Sequence, residues 1–300
     1  MIEGQEGVTW PQWVGLARAC EDAGLEGLFR SDHYSGFFSG GGGSHDAWAT
    51  LCGLAAITER IQLGTLVSPA TFRHPSVLAR TVVTASHISG GRVELGFGAG
   101  WNEAEHVEHG FPFPTTPERL ELFAEQLEII RASWRGEQFD FTGRHYELRG
   151  ARPLPVPLGP VNVIVGGAAK PGTVGPAVRF ADEYNTPFAT PAQARERRAA
   201  VDEACARAGR APLTFSLMTG CVIGEDRAAF EHRLERITAL AGSLDPPDAE
   251  RSVYGTIDEA VERLREYEEA GVERVMLQHL LHDDLEMVEL IGREIVPRVS

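Results

Sequence analysis

The sequence predicts an α/β protein, a (β/α)8 TIM-like barrel with insertions at its C-terminal mouth. Three observations predict it. Short apolar runs rich in β-branched residues alternate with segments of helical period along almost the whole 300-residue chain. The alternation supplies strand-like runs at residues 1–3, 25–30, 61–67, 92–97, 161–165, 182–185, 213–223 and 273–278, a series that closes readily into a parallel barrel. Several of these runs lead straight into loops rich in Gly, Asp, His or Arg, and in such a barrel those loops gather at the mouth, where chemistry is done.

Each element has a local reason. Residues 1–3 read as an unusually short first strand, which predicts either a truncated start or a poorly closed barrel edge. Residues 10–24 place Trp13, Leu16, Ala17 and Cys20 at helical spacing, with Gly24 as the stop. Residues 25–30 form a strand, and Ser31-Asp32-His33-Tyr34 is its outgoing loop. A helix over 47–58 follows. Strands 61–67 and 92–97 then flank a helix over 75–89, which makes a βαβ unit. Residues 117–134 are a long amphipathic helix with Pro117 and Glu118 in its first turn. Beyond it, helices over 172–181, 191–208, 226–240, 257–270 and 283–298 alternate with the later strands.

The irregular piece lies around residues 136–160. There Phe139-Asp140-Phe141 and His145-Tyr146-Glu147-Leu148 flank Thr142-Gly143-Arg144 as a hairpin outside the barrel, and four prolines keep the chain extended after it. No repeat and no linker divides the chain, so residues 1–300 are expected to form a single barrel domain. A doubly wound open sheet is the alternative, but no G-x-G-x-x-G follows the first βα turn.

Composition narrows the partners. A net charge of −15 argues against nucleic acid, whose binding draws on Lys and Arg to neutralise phosphates. No window is apolar and long enough to span a bilayer, and the first residues lack the order of a signal peptide. Cys20, Cys52, Cys205 and Cys221 are widely spaced without a C-x-x-C, which predicts a reduced cytoplasmic protein. A small-molecule substrate is the expected partner.

Five loops carry candidate chemistry. Asp32-His33, at the end of a strand, presents a carboxylate and an imidazole able to exchange a proton near neutral pH; the alternative is a cap and a solvated loop histidine. Leu66-Val67-Ser68-Pro69 is a tight strand exit, read either as a clamp or as an ordinary turn. In Gly98-Ala99-Gly100-Trp101-Asn102, the glycines let backbone N–H groups approach a ligand, while Trp101 either walls a planar ring or caps the core. Gly166-Gly167 follows an apolar strand and precedes a helix, an arrangement suited to an anion. Ser39-Gly40-Gly41-Gly42-Gly43-Ser44 reads as a lid or as an inconsequential insertion. The carboxylates and imidazoles of residues 103–109 read as a solvated helical face, and no metal site is expected.

Taken together, Ser31-Asp32-His33, Arg73-His74-Pro75, Ser89-Gly90-Gly91-Arg92, the run from Gly96 to Glu103 and Val165-Gly166-Gly167 resemble the luciferase-like monooxygenase superfamily, and within it the oxidoreductases that use the deazaflavin coenzyme F420. The resemblance implies a bacterial luciferase-like barrel with a cofactor ring lying across the strand ends. It implies a non-proline cis peptide at Leu66-Val67 or its neighbour, contacts from Asp32, Leu66, Val67, Gly98, Gly100, Trp101, Asn102, Gly166 and Gly167, and His33 assisting hydride transfer. Glu3 would lie at the end of the first strand as a further contact. A homodimer formed through helices flanking the barrel is implied too. Trp101 stands where the sugar-phosphate dehydrogenases of this superfamily carry glutamate, so that substrate is not expected. The expected function is hydride transfer between F420 and an organic substrate. The alternatives are an FMN-dependent monooxygenase of the same fold, a non-redox barrel enzyme that binds a phosphate, and a protein that holds a cofactor without turning it over.

Overall fold

The computed structural model describes residues 1–37, 43–241 and 248–299. Strands β1 (Gly27–Arg30), β2 (Gln62–Pro69), β3 (Val93–Gly98), β6 (Val163–Gly166), β7 (Glu183–Pro187), β8 (Thr214–Gly224) and β10 (Arg274–Gln278) pair in that order, all parallel. Helices α1 (Trp10–Asp22), α2 (Ala47–Ala55), α3 (Pro75–Ser89), α5 (Thr116–Ser133), α6 (Pro171–Phe180), α7 (Pro191–Arg207), α8 (Arg227–Ala241) and α9 (Ile257–Glu269) wrap the outside. Residues 1–3 take the remaining place in the ring. Ile2 donates to Phe29 O and accepts from Ser31 N, while Met1 donates to Leu277 O and accepts from His279 N. The chain is therefore a closed (β/α)8 barrel.

Residues 1–3 make only an isolated bridge, Ile2 to Arg30, in place of the expected first strand. The seam between β1 and β10 is closed near the mouth alone, and a cavity of about 680 Å³ lies along it toward the opposite end. This matches the expectation of a poorly closed edge.

The period-two alternation of β3, Val-Glu-Leu-Gly-Phe-Gly, explains the layering. Val93, Leu95 and Phe97 join the outer core with Trp13, Leu51, Val82, Phe123 and Leu127 of the helices. Glu94, Gly96 and Gly98 belong to the opposite face. Inside the barrel, Arg274 donates to both oxygens of Glu94 at 2.8 Å and to Glu183 at 3.1 Å, and Asn162 bridges the same two carboxylates. Above this plug, Phe29, Leu66, Ile164 and Met276 form a small apolar layer. Gly96 has no room for a side chain: a Cβ there would lie 2.0 Å from the carbonyl oxygen of Thr65, just before the register shift in the β2–β3 pairing. Gly96→Ala is expected to lower stability by about 1–3 kcal/mol through overpacking, read as a lower urea midpoint at an unchanged m-value.

The hairpin is present as β4 (Phe139–Thr142) and β5 (Glu147–Ala151), outside the barrel sheet. Other boundaries move. The helix expected to reach residue 58 ends at Ala55, and the strand expected to end at 67 runs to Pro69. The closing helix over 283–298 is three pieces: α10 (Leu285–Leu290), a π segment Ile291–Ile295 and α11 (Val296–Val299). Gly292, within the π segment, lets this turn approach the backbone of Ala23 closely. One strand was not anticipated: β9 (Val253–Thr256) extends the parallel pairing onto the far end of β8 and is too short to leave a period in the sequence. The helical segment read over 103–109 is present as α4 (Glu103–His109), directly after β3. Among the described residues, no helix is long and apolar enough to cross a membrane.

Candidate active site at the barrel mouth

The mouth is built where β1, β2, β3 and β6 end. The peptide between Leu66 and Val67 is cis, at the pair anticipated, and lies within the irregular stretch of the β2–β3 pairing. The Val67 side chain lies across three glycines. A Cβ on Gly98 would sit 2.8 Å from Val67 Cγ2, and Cβ atoms on Gly96 and Gly166 would sit 3.2 and 3.3 Å from Cγ1. These glycines therefore make room for Val67, a packing reason for Gly98 that stands beside the expected approach of a ligand. Leu66 and Val67 together form an apolar ledge inside the mouth.

Gly100 does require glycine, with φ at +83° and the Thr71 hydroxyl 2.7 Å from where a Cβ would be. Trp101 follows with 66% of its surface exposed, so it does not cap the core. Its ring stacks on Phe37 at 5.5 Å, and both rings stand edge-on to His33 at 5.8 and 5.1 Å. The three rings make an aromatic rim. Asn102 is the N-cap of α4, its side chain accepting from Glu105 N.

Asp32 and His33 share a loop but not a role. Asp32 is buried and already engaged: Ser68 donates to Oδ2 at 2.6 Å, and Arg73 donates to both oxygens at 2.5 and 3.2 Å. Arg73 continues to Asp46, and Trp48 donates to Ser68. Asp32 thus ties β1, β2 and the loop before α3 together beneath the ledge. His33 keeps 15% of its side chain exposed, and its Nδ1 lies 2.7 Å from Glu105 Oε2. Its other ring nitrogen, Nε2, has no hydrogen bond among the described residues. Burial pulls the His33 pKa down, but the hydrogen bond and charge of Glu105, with the charges of Glu3 and Asp32, outweigh it and leave the pKa raised. For Glu105, burial pulls upward, and the bonds from His33, Tyr34 N and Ser35 N prevail to hold its pKa low.

Glu105 and His106 correct the reading of residues 103–109 as a solvated face. Both are 1% exposed. His106 donates from Nδ1 to Asn102 O, and its Nε2 meets the Thr71 hydroxyl at 2.6 Å. The available signal was the Asn102-x-x-Glu105 spacing, an N-cap pattern that marks a helix start directly after the glycine loop. Phe37 had no signal of its own.

On the opposite side, Gly167 N donates to Asn185 O, and Ala169 N donates to the Tyr184 hydroxyl. These amides are taken, so the glycine pair does not itself offer free N–H groups at both positions. The first turn of α6 lacks a side-chain cap at Lys170, but Pro171 carries no N–H and Thr173 N donates to Lys170 O, so Gly172 N is the first-turn amide left for an anion among the described residues. Glu3 accepts from Gln5 and Gln278 and closes the mouth beside the seam. The lid expected around residues 39–44 falls largely outside the described residues. Among the described residues, no group of three or more His, Cys, Asp or Glu side chains is arranged to hold a metal ion.

A family model described as luciferase-like monooxygenase matches residues 2–280. The F420-dependent glucose-6-phosphate dehydrogenase of Beutenbergia cavernae is 31% identical over 308 residues, covering 93% of this chain and 90% of its own length. Among solved structures, the coenzyme F420 dependent tetrahydromethanopterin reductase of Methanopyrus kandleri superposes with a TM-score of 0.84 at 21% identity, covering 100% of this chain and 98% of the other. The oxygenating constituent of 3,6-diketocamphane monooxygenase from Pseudomonas putida, in complex with FMN, gives 0.78 at 19%, covering 100% and 98%. At these identities the two structural likenesses are likenesses of fold.

Proposed function

Because this chain belongs to the luciferase-like monooxygenase family, we propose that it is an oxidoreductase moving a hydride between coenzyme F420 and a small organic substrate. The observation that carries the reading is the ledge: buried Leu66 and half-buried Val67 put apolar side chains at the strand ends, with His33 on the rim and its Nε2 free. A planar ring fits such a surface, because its face is desolvated at no cost in unpaired polar groups. Gly98, Gly100, Trp101 and Asn102 would border the ring on one side, and Gly166 and Gly167 on the other. At the start of α6, Gly172 N would donate to the anionic tail. Asp32 would act from beneath the ledge, holding the loop that carries His33.

The deazaflavin, when bound, supplies the acceptor or donor of the hydride. The residues of this chain do the rest. His33 takes or returns the proton at Nε2, the ledge orients the ring, and Trp101 with Phe37 walls off water on the substrate side. That exposed aromatic pair suits an uncharged organic substrate. The four free cysteines are in keeping with a reduced cytoplasmic setting.

FMN-dependent monooxygenation is the second reading, since one structure of this fold holds FMN. A titration of cofactor-free protein with F420 and with FMN, followed by fluorescence or absorbance, separates the two. Tighter binding of F420 is the expected result. Preference for FMN would replace this reading with the monooxygenase, and oxygen consumption would then be the assay.

A further inference from the structure

We propose that Glu105 is the positioning residue of His33, holding the imidazole proton on Nδ1 so that Nε2 is the nitrogen that exchanges a proton with the substrate. The inference rests on the function proposed above for what the proton exchange serves, but its geometry stands alone. Glu105 and His33 are 72 residues apart in sequence, and their side chains meet at 2.7 Å. The carboxylate cannot turn away. Its second oxygen accepts from the backbone amides of Tyr34 at 2.5 Å and Ser35 at 3.2 Å, the two residues that follow His33. One carboxylate therefore grips both the ring and the backbone of the same loop.

A carboxylate offers only acceptors, so the nitrogen facing it has to carry the hydrogen. That assigns the neutral tautomer: Nδ1 protonated, Nε2 with its lone pair free. The arrangement is that of a base oriented by a third group, as in other proton-transfer sites where the orienting carboxylate selects the tautomer and steadies the cation that forms. In the direction of alcohol oxidation, the substrate loses a hydride from carbon to the oxidised deazaflavin and a proton from oxygen to Nε2, leaving a carbonyl. The reverse direction returns both.

The charged groups acting on His33 are Glu105 from α4, Glu3 from the N-terminal segment and Asp32 from its own loop. Asp32 is already paired with Arg73, and Glu3 is held by Gln5 and Gln278, which leaves Glu105 as the one in direct contact. All three are acidic and raise the pKa of His33. The free base therefore appears at a higher pH than for an ordinary histidine, and removing the Glu105 charge moves it back down.

The test is ¹⁵N NMR of the imidazole in the ligand-free protein, which needs no cofactor and no activity. In the wild type, the Nδ1–H tautomer is expected above the His33 pKa. Glu105→Gln is expected to lower that pKa by about 1 unit, the scale set by losing one adjacent charge, and to let the tautomers mix. Glu105→Asp, if it reaches Nδ1, should restore both. A wild-type Nδ1 without hydrogen overturns the proposal even if the variants do not fold. An unchanged His33 pKa and tautomer in folded Glu105→Gln overturns it as well. If F420 binds and turns over, the acid limb of kcat/KM should move to lower pH in Glu105→Gln together with the NMR pKa. A merely structural role would depress the whole profile without moving the limb. Should the wild type show the dyad but bind no F420, the cofactor reading falls and the dyad stands.

Discussion

His33→Ala is expected to lower turnover with F420 by about 100- to 10,000-fold, the range for removing a positioned general acid or base, while cofactor affinity changes by no more than about threefold. The asymmetry follows from where His33 sits. Its ring lies on the aromatic rim with Phe37 and Trp101, and the apolar ledge that would receive a cofactor ring is made by Leu66 and Val67, which the substitution leaves alone. Steady-state kcat and a fluorescence titration of F420 on the same variant check the two halves separately. Turnover equal to the wild type would remove His33 from the chemistry. A parallel loss of binding would make it a cofactor contact. The variant also leaves the Glu105 carboxylate buried with only its backbone donors, so a modest loss of thermal stability is expected beside the kinetic one.

Arg274→Met is expected to have the largest effect on stability, about 3–5 kcal/mol at neutral pH, because it strands buried carboxylates without their cation. Arg274 is 13% exposed at its side chain and engages Glu94 and Glu183, which are 8% and 2% exposed. Burial raises the Glu183 pKa even with Arg274 present, and the guanidinium only partly offsets that. A carboxyl raised in the folded state supports folding fully below its unfolded pKa and loses that support as pH rises through its folded pKa. Removing Arg274 pushes the folded pKa higher still, so the penalty should be greatest at neutral pH and shrink on acidification. Urea denaturation of wild type and variant at pH 7 and pH 5 measures this directly. A penalty that grows at the lower pH would show that the ion pair is not its cause. Arg274→Met with Glu94→Gln and Glu183→Gln should recover much of the loss, since the uncompensated charge is then gone.

Much of the architecture was legible in the sequence. Helix α3 was read at its observed bounds, because Pro75 opens it, Gly90 at φ +69° ends it, and its buried positions recur at helical spacing. The hairpin followed from Thr142-Gly143-Arg144 between alternating runs, and the family resemblance led to the cis peptide at Leu66-Val67. These features are local: each is decided by the backbone preference of a few residues or by a face that must be buried.

What tertiary structure decided is of another kind. Residues 1–3, read as a short first strand, complete the ring through bonds to residues 29 and 277 and hold only an isolated bridge there. Glu94 is a barrel plug because Arg274 reaches it across 180 residues, and Asp32 is an anchor because Arg73 takes both its oxygens. Glu105 is the clearest case. In sequence it is one acidic residue among several in residues 103–109, where the Asn102-x-x-Glu105 spacing marks a helix start but not a buried carboxylate. In the fold, the loop after β1 closes over it and supplies an imidazole and two amides. Periodicity records which face of an element is apolar. Whether a polar group on the other face meets water or a partner depends on which distant loop lands there, and only closure of the barrel brings those loops to one mouth.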